Sequence, residues 1–423
     1  MLQAILKEVL PQDSSFEILH LQSPPSESAP LVNNTSKQNR ATTIKTEHLF
    51  CLAYKGRIFY GLELYVYITC NHDNEVEKTE RLVFVSKADT NGYCDIRVNI
   101  KLVTLQLIRY VLSINPDYYL HRVIPKERDY KKSGRTNLIT KATNSRKALK
   151  ILADRLQNHS LIEPEIFNAY YTKFHSGKEL VTKIALFTRP ADQYLFPNSS
   201  KNPNKHNLDG DGLLKWWASL LDNLLVSDFN LNKTKAKIRI PGEDKYRFRR
   251  YTNALKCGIW THGDIFSDND SDSVIKCIPM FPDDPKSRFM KQLFEENRIQ
   301  TTSLDTFWTE LQERQEFKLS VVVSVMGISG IYEIDTNYKP STDVYRCRSK
   351  RQFHCIKNYI TGEEYDTEEG ALESYQNVND YLSREGTSLL TVTGNADYSK
   401  FKQNRTTTST PVVVNTLQVR RKK

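Results

Sequence analysis

Three segments carry residue types that scaffolding alone does not call for. Residues 84–94, Phe-Val-Ser-Lys-Ala-Asp-Thr-Asn-Gly-Tyr-Cys, set one carboxylate, Asp89, among turn formers. Turn geometry accounts for Asp89 and Asn91, yet loop tips on rigid strands also carry sites. Residues 186–207 mix Arg189, Lys201, Lys205 and His206 with Tyr194 and Phe196, and Trp216 and Trp217 follow. Cationic donors suit phosphate oxygens and flat aromatic faces suit a base or a pantetheine arm, so a phosphorylated, partly aromatic ligand fits. A surface loop with a basic fringe beside a core tryptophan fits as well. Residues 280–297 contain Phe-Pro-Asp-Asp-Pro-Lys-Ser-Arg at 281–288. Pro285 suits the first helical position, which makes Asp284 the N-cap and puts Lys286 and Arg288 in the first turn. Two adjacent carboxylates repel, and burial raises a carboxyl pKa, so one of the pair could accept a proton near neutrality. An arginine in the first turn runs against the helix dipole, a conflict that an anionic ligand near Arg288 would resolve.

These residues need elements to hold them. Residues 23–45 are rich in Ser, Pro, Asn and Thr and read as a loop between an N-terminal helix and the first strand. Two apolar runs, 49–54 and 58–70, flank Lys55-Gly56-Arg57 and predict a hairpin. Residues 82–86 and 93–98 read as the next two strands, joined by a turn at Asp89-Thr90-Asn91-Gly92. Helical spacing covers 102–112, and helices are expected near 145 and over 161–175, 210–228, 286–300 and 366–384. In the last, Asp366 is the expected cap, with Glu369 completing a capping box. Further strands are expected at 183–188, 236–240 and 317–326, the last apolar enough to be central. Strands and helices intermingle without a linker, which favours one large mixed domain over residues 1–399.

Composition removes several classes. With 18 Phe, 22 Tyr and 4 Trp in 423 residues the chain can bury a core, so fibrous, collagen-like and wholly disordered readings fall. No window approaches the ~20 apolar residues of a membrane span, and the start is too short and acidic for a signal peptide, so an intracellular protein is expected. The 7 Cys form no Cys-x-x-Cys pair and the 9 His are scattered, so free thiols and no metal are expected. The phosphate-loop, dinucleotide and nucleophile-elbow motifs are missing.

The formal charge of +10 is a sum of unlike parts. Residues 122–155 hold eleven Lys/Arg against three Asp/Glu, and residues 400–423 hold seven Lys/Arg and no acid. The rest of the chain is therefore at −5, and the positive charge belongs to an expected mobile loop over about 122–150 and an expected disordered tail over 400–423. Two non-catalytic readings compete here: a basic nucleic-acid-binding protein, and an adaptor that holds basic partner proteins on acidic segments such as 363–373.

The three segments, together with Arg-Ile-Pro-Gly-Glu-Asp at 239–244, residues 310–321, Val-Met-Gly-Ile-Ser-Gly at 325–330 and residues 359–371, closely resemble the fungal histone acetyltransferases called regulator of Ty transposition. The likeness runs from the N-terminal helix to about residue 385. It implies a mixed α/β fold similar to that of the CREB-binding-protein acetyltransferases, with a central sheet of about seven strands wrapped by helices. It implies acetyl transfer from acetyl-CoA to lysines of newly made histone H3 (with H4), both the core lysine at the start of its first helix and tail lysines. It further implies a nuclear enzyme that depends on histone chaperones of the nucleosome-assembly-protein and anti-silencing-function classes, without a metal, a membrane or direct DNA binding.

Residue by residue, Asp284 matches the family's proposed general acid/base, with Asp89 the second candidate, and Lys286 matches a lysine acetylated by the enzyme itself. Ala88, Asp89 and Thr90 match the turn lining the acetyl-CoA and lysine channel. Arg97, Val98, Asn99, Ile100 and Lys101 match the pyrophosphate-contacting stretch, with Lys101 standing where the family carries Arg, which keeps the charge and loses a fork. Phe187, Ala191, His206, Asn207, Leu208, Trp216 and Arg288 match the rest of the cofactor wall, and Tyr194 and Trp217 match aromatics of the lysine tunnel. The chemistry suits such residues. A lysine ammonium with an ordinary pKa of about 10.4 must lose a proton before attacking a thioester, which calls for a carboxylate or water relay and a dry aromatic channel.

Overall fold

A computed structural model describes residues 1–32, 41–71, 78–123, 179–241, 248–267, 269, 271–313, 323–334, 337–340 and 342–398. The expected helices near 145 and over 161–175, the basic segment from 124 onward, residues 317–322 and the tail lie outside these residues.

The strands are β1 Ser15–Gln22, β2 Ser26–Ser28, β3 Ala41–Tyr54, β4 Arg57–Asn71, β5 Lys78–Thr90, β6 Glu179–Thr188, β7 Lys235–Arg239, β8 Trp260–His262, β9 Ser324–Gly330, β10 Tyr345–Arg346 and β11 Leu390–Thr393. All eleven join one mixed sheet, in the order β10-β1-β3-β4-β5-β6-β9-β7-β8, with β11 added to β1 and β2 to β3. The sheet has more strands than the expected seven or so: seven of five or more residues, with four shorter pieces added.

The hairpin falls where expected. Lys55 and Gly56 both adopt left-handed φ, 50° and 71°, the two-residue turn whose twist matches that of its strands. Alternation along β3 then serves two cores: Phe50 and Leu52 point to one face, Leu49, Cys51 and Ala53 to the other. The first face is covered by helices α1 Leu2–Lys7, α2 Ile100–Ser113 and α4 Gly210–Asp228, with the short α3 Pro116–Leu120 and α5 Arg249–Thr252 beside them. The second is covered at one end by α9 Lys350–Thr361 and α10 Glu368–Arg384. At its other end, α6 Val274–Cys277, α7 Pro285–Glu295 and α8 Leu304–Glu313 pack together, and the Phe281 ring stacks on Phe84 of β5 at 4.0 Å.

Six local expectations need correction. The expected loop over 23–45 holds β2 and the first residues of β3. The first strand is not 49–54, because Ser15–Gln22 already forms β1, pairing with β3 and β11. Residues 93–98 are not a strand, and Asp89 and Thr90 are not a turn: β5 runs through them, opposite Gly61 and Tyr60. The ladder stops at Asn91, whose Nδ2 donates to Ile58 O at 2.7 Å and whose Oδ1 takes the Tyr93 N–H at 3.1 Å, which turns the chain away. The helix expected to reach 300 ends at Glu295. Thr367, not Asp366, is the N-cap of α10, and its side chain makes no capping bond. Asp366 instead lies 3.6 Å from Lys201.

Candidate active site

Where β4 begins and β5 ends lies a cavity of about 210 Å³. Its floor is Tyr60 of β4 and Ala88, Asp89 and Thr90 of β5. Ile100, at the start of α2, closes one side, and Leu213, Trp216 and Trp217 of α4 close another. Ala191, Tyr194 and Lys205 to Leu208, from the loop between β6 and α4, form the rim. Thus Ala88, Asp89, Thr90, Ile100, Ala191, Tyr194, His206, Asn207, Leu208, Trp216 and Trp217, named from sequence across more than a hundred residues, come together around one space. Phe187 lines a smaller adjoining hollow of about 40 Å³, which shares Ala88, Tyr194, Leu213 and Trp217 with the first.

Local sequence explains how the walls are aimed. Asn99 caps α2 by accepting from Leu102 N at 3.2 Å, and Asp209 caps α4 by accepting from Gly212 N at 2.7 Å. The indoles of Trp216 and Trp217 meet edge to face, centroids 4.8 Å apart, so successive residues at one helix end present both a ring face and a ring edge. Gly61 lets the loop approach the sheet: a Cβ there would lie 2.9 Å from Leu195 Cδ1.

Asp89 fastens that loop. Its Oδ2 accepts from the backbone N–H of Tyr194 at 2.8 Å, Leu195 at 2.9 Å and Phe196 at 3.4 Å. Its Oδ1 takes the Thr90 N–H at 2.9 Å and pairs with Lys205 Nζ at 3.0 Å. Tyr194 is held further by its hydroxyl, which donates to Arg189 O and accepts from Ala191 N, and burial pushes its pKa up to about 12.

Asp284 and Lys286 sit behind Phe187 and do not line the cavity. Asp284 caps α7, accepting the Lys286 N–H at 2.9 Å, and its other oxygen takes Lys286 Nζ at 2.5 Å. Both side chains are buried, and the same Nζ stands 4.8 Å over the Phe187 ring. Asp283, with a left-handed φ of 53°, pairs with Lys87 of β5 at 3.1 Å, and that bond holds its carboxyl below the ordinary range. Arg288 is exposed on the first turn of α7.

Of the expected pyrophosphate stretch, only Ile100 reaches the cavity wall; Arg97 is exposed, Val98 packs on the core, and Asn99 serves as cap. Lys101 donates to Ser219 Oγ at 2.5 Å, joining α2 to α4, and burial followed by the nearby Lys256 charge lowers its pKa. Tyr60 and Leu213 are wall residues that sequence reasoning missed. They read as ordinary core positions, and no local signal separates them from other apolar residues. Among the described residues, no group of three or more His, Cys, Asp or Glu side chains could hold a metal ion, and no helix is long and apolar enough to cross a membrane.

An α/β fold with a mixed sheet covered on both faces, and a tryptophan-walled cavity at the sheet's end, is the class that these features define. The fold matches a solved structure described as Rtt109 from Aspergillus fumigatus, with a TM-score of 0.65 and 19% identity, over 94% of this chain and 99% of that one. The family model for the histone acetyltransferase KAT11-type domain matches residues 2–381, and the chain belongs to that family. It is 31% identical over 319 residues to the histone acetyltransferase RTT109 of Candida albicans, covering 75% of this chain and 84% of the relative. It is 24% identical over 372 residues to the histone acetyltransferase rtt109 of Aspergillus flavus, covering 77% of this chain and 55% of the relative. The protein is therefore a histone lysine acetyltransferase, with acetyl-CoA as the co-substrate that the family implies, and the two non-catalytic readings drawn from charge are set aside.

Proposed function

We propose that this enzyme acetylates newly synthesised histone H3, in complex with H4, at the core lysine that begins its first helix and at tail lysines. It acts in the nucleus with chaperones of the nucleosome-assembly-protein and anti-silencing-function classes, in support of replication-coupled nucleosome assembly and genome stability. The observation that carries this reading is the convergence of Ala88, Tyr194, His206, Asn207, Leu208, Trp216 and Trp217 on one cavity. Its apolar and aromatic walls fit a pantetheine arm, and the adjoining hollow bounded by Phe187, Tyr194 and Trp217 fits the apolar stem of a lysine. Arg97 and Lys101, one exposed and one half-buried beside the cavity's Ile100, are the cations for the cofactor's phosphates, with the exposed Arg288 of α7 as a further cofactor-side cation.

The two carboxylates divide the work. Asp89 spends its oxygens on five donors from the protein, which suits a group that builds the channel. Asp284 has one partner that chemistry can remove. Acetylation of Lys286 converts its ammonium to a neutral amide and leaves the Asp284 carboxylate without its counter-charge, a state in which it can take a proton relayed by water from the incoming amine. The mildly acidic body suits a very basic histone, and the basic tail suits an acidic chaperone and nuclear import.

Incubation with labelled acetyl-CoA, histone H3–H4 and each chaperone class tests this reading. Label is expected on H3, strongly raised by chaperone, and deletion of residues 400–423 is expected to reduce that stimulation while leaving acetyl-CoA binding intact. Label on other histones alone, or chaperone independence, would overturn it.

A further inference from the structure

Among the described residues, Lys205 is the one lysine on the wall of this cavity, and its side chain is 3% exposed. Its Nζ is shared between Asp89 Oδ1 at 3.0 Å and Ser199 Oγ at 2.8 Å. A cation in that place could serve a phosphate, but this ammonium faces two oxygens of its own chain. The partner it neutralises is the carboxylate that gathers the amides of 194–196.

The same segment is pinned a second time. Asn202 Nδ2 donates to Asn91 O at 2.7 Å, and Gly92, at φ +87°, leaves room for the Lys205 backbone where a Cβ would stand 2.7 Å from its nitrogen. Residues 194–205 therefore form an arch whose two feet meet on Asp89: one through backbone amides, the other through Lys205. Burying a carboxylate costs least where donors and a counter-ion surround it, as they do Asp89. Lys205 supplies the counter-ion, and its ammonium form cannot attack a thioester next to it.

We propose that Lys205 is a positioning residue for acetyl-CoA binding: as the buried counter-ion of Asp89 it holds the arch of 194–205 against β5 and so sets the wall on which the acyl donor lies. The inference rests on the acetyltransferase reading of this cavity but concerns donor binding, which is measured without histone. The test is acetyl-CoA titration followed by tryptophan fluorescence, with Trp216 and Trp217 on the wall as reporters, beside steady-state kinetics on histone.

Lys205→Met is expected to raise the dissociation constant and KM for acetyl-CoA about tenfold or more, with kcat within about twofold. Lys205→Arg is expected to recover most of the loss. Asp89→Asn combined with Lys205→Met is expected to bind no worse than Asp89→Asn alone, because both remove one pair. Should the Met variant not fold, Ser199→Ala carries the test, expected to weaken donor binding by severalfold through loss of the second Lys205 partner. Unchanged donor binding, a loss confined to kcat, or full additivity with Asp89→Asn would overturn the proposal. Wild-type protein that binds acetyl-CoA but leaves histone unlabelled would overturn the functional reading instead.

Discussion

Lys286 Nζ lies 2.5 Å from Asp284 Oδ2, with both side chains buried and the ammonium over the face of Phe187. The pair closes within the first turn of one helix, so the residue that caps the helix is also the counter-ion of a lysine two positions on. Phe187 joins this pair to the hollow beside the main cavity, which makes the ion pair a wall removed from the reacting atoms.

Asp284→Asn tests that link. An amide oxygen still accepts the Lys286 N–H, so the cap survives, but the charge is gone. Turnover on chaperone-bound histone is expected to fall by roughly 10²-fold or more, the range of general acid–base catalysis, with circular dichroism unchanged. A wild-type rate at every pH would remove Asp284 from proton transfer.

Lys286→Arg keeps the charge and removes the acetyl acceptor. Self-labelling by radiolabelled acetyl-CoA, followed by peptide mapping, is expected to disappear in this variant, and Lys286→Gln, neutral as acetyl-lysine is, to retain more histone activity than Lys286→Arg. Equal activity in the two would separate the Lys286 charge from control of Asp284.

Trp216→Ala opens the cavity at a half-buried ring, so little core is lost. KM for acetyl-CoA is expected to rise about tenfold, equivalent to about 1.4 kcal/mol of donor binding, with a small change in melting temperature. A large melting shift without a KM change would make Trp216 a packing residue.

Gly92→Ala forces a side chain onto a left-handed residue and into Asn202 and Lys205. Destabilisation of roughly 1–3 kcal/mol is expected from denaturant unfolding, accompanied by weaker acetyl-CoA binding, because the strain falls at the foot of the arch. Strain without any binding loss would show that the arch tolerates displacement.

The second buried network predicts acid sensitivity. His20 Nε2 and His48 Nδ1 are 2.9 Å apart, and the Tyr119 hydroxyl lies 3.1 Å from His48 Nε2. Burial lowers the His20 pKa to about 3, and burial together with His20 lowers that of His48. The unfolded chain, with ordinary values near 6.5, takes up protons below that pH that the folded chain refuses. The contribution of this pair is therefore full above about pH 6.5 and is lost on acidification, by about 1.4 kcal/mol per pH unit from His20, with His48 acting in the same direction. Thermal melts from pH 7 to 4 are expected to show that slope and His20→Gln to reduce it; a flat profile in wild type would count against it.

The hairpin at Lys55-Gly56, the helix over Gly210–Asp228 and the capped start of α7 were legible in sequence, because each depends on neighbours a few residues apart: turn residues, helical spacing, and an Asp-Pro step. The segments with unusual chemistry were legible for the same reason, and their resemblance to a known family pointed to the acyl donor. What local order could not show was pairing. Ser15–Gln22 becomes a strand because β3 and β11 lie on either side of it, and Asp89 stays in a strand because Gly61 stands opposite. The chemistry of the two aspartates was likewise settled by partners distant in the chain or in the helix start: amides at 194–196 and Lys205 for Asp89, and Lys286 with Phe187 behind it for Asp284. Sequence by itself singled out many of the residues that line the cavity, and the helices that carry several of them. Tertiary structure alone decided which carboxylate holds a loop and which faces a removable counter-charge, because a buried charge takes its role from the groups packed around it.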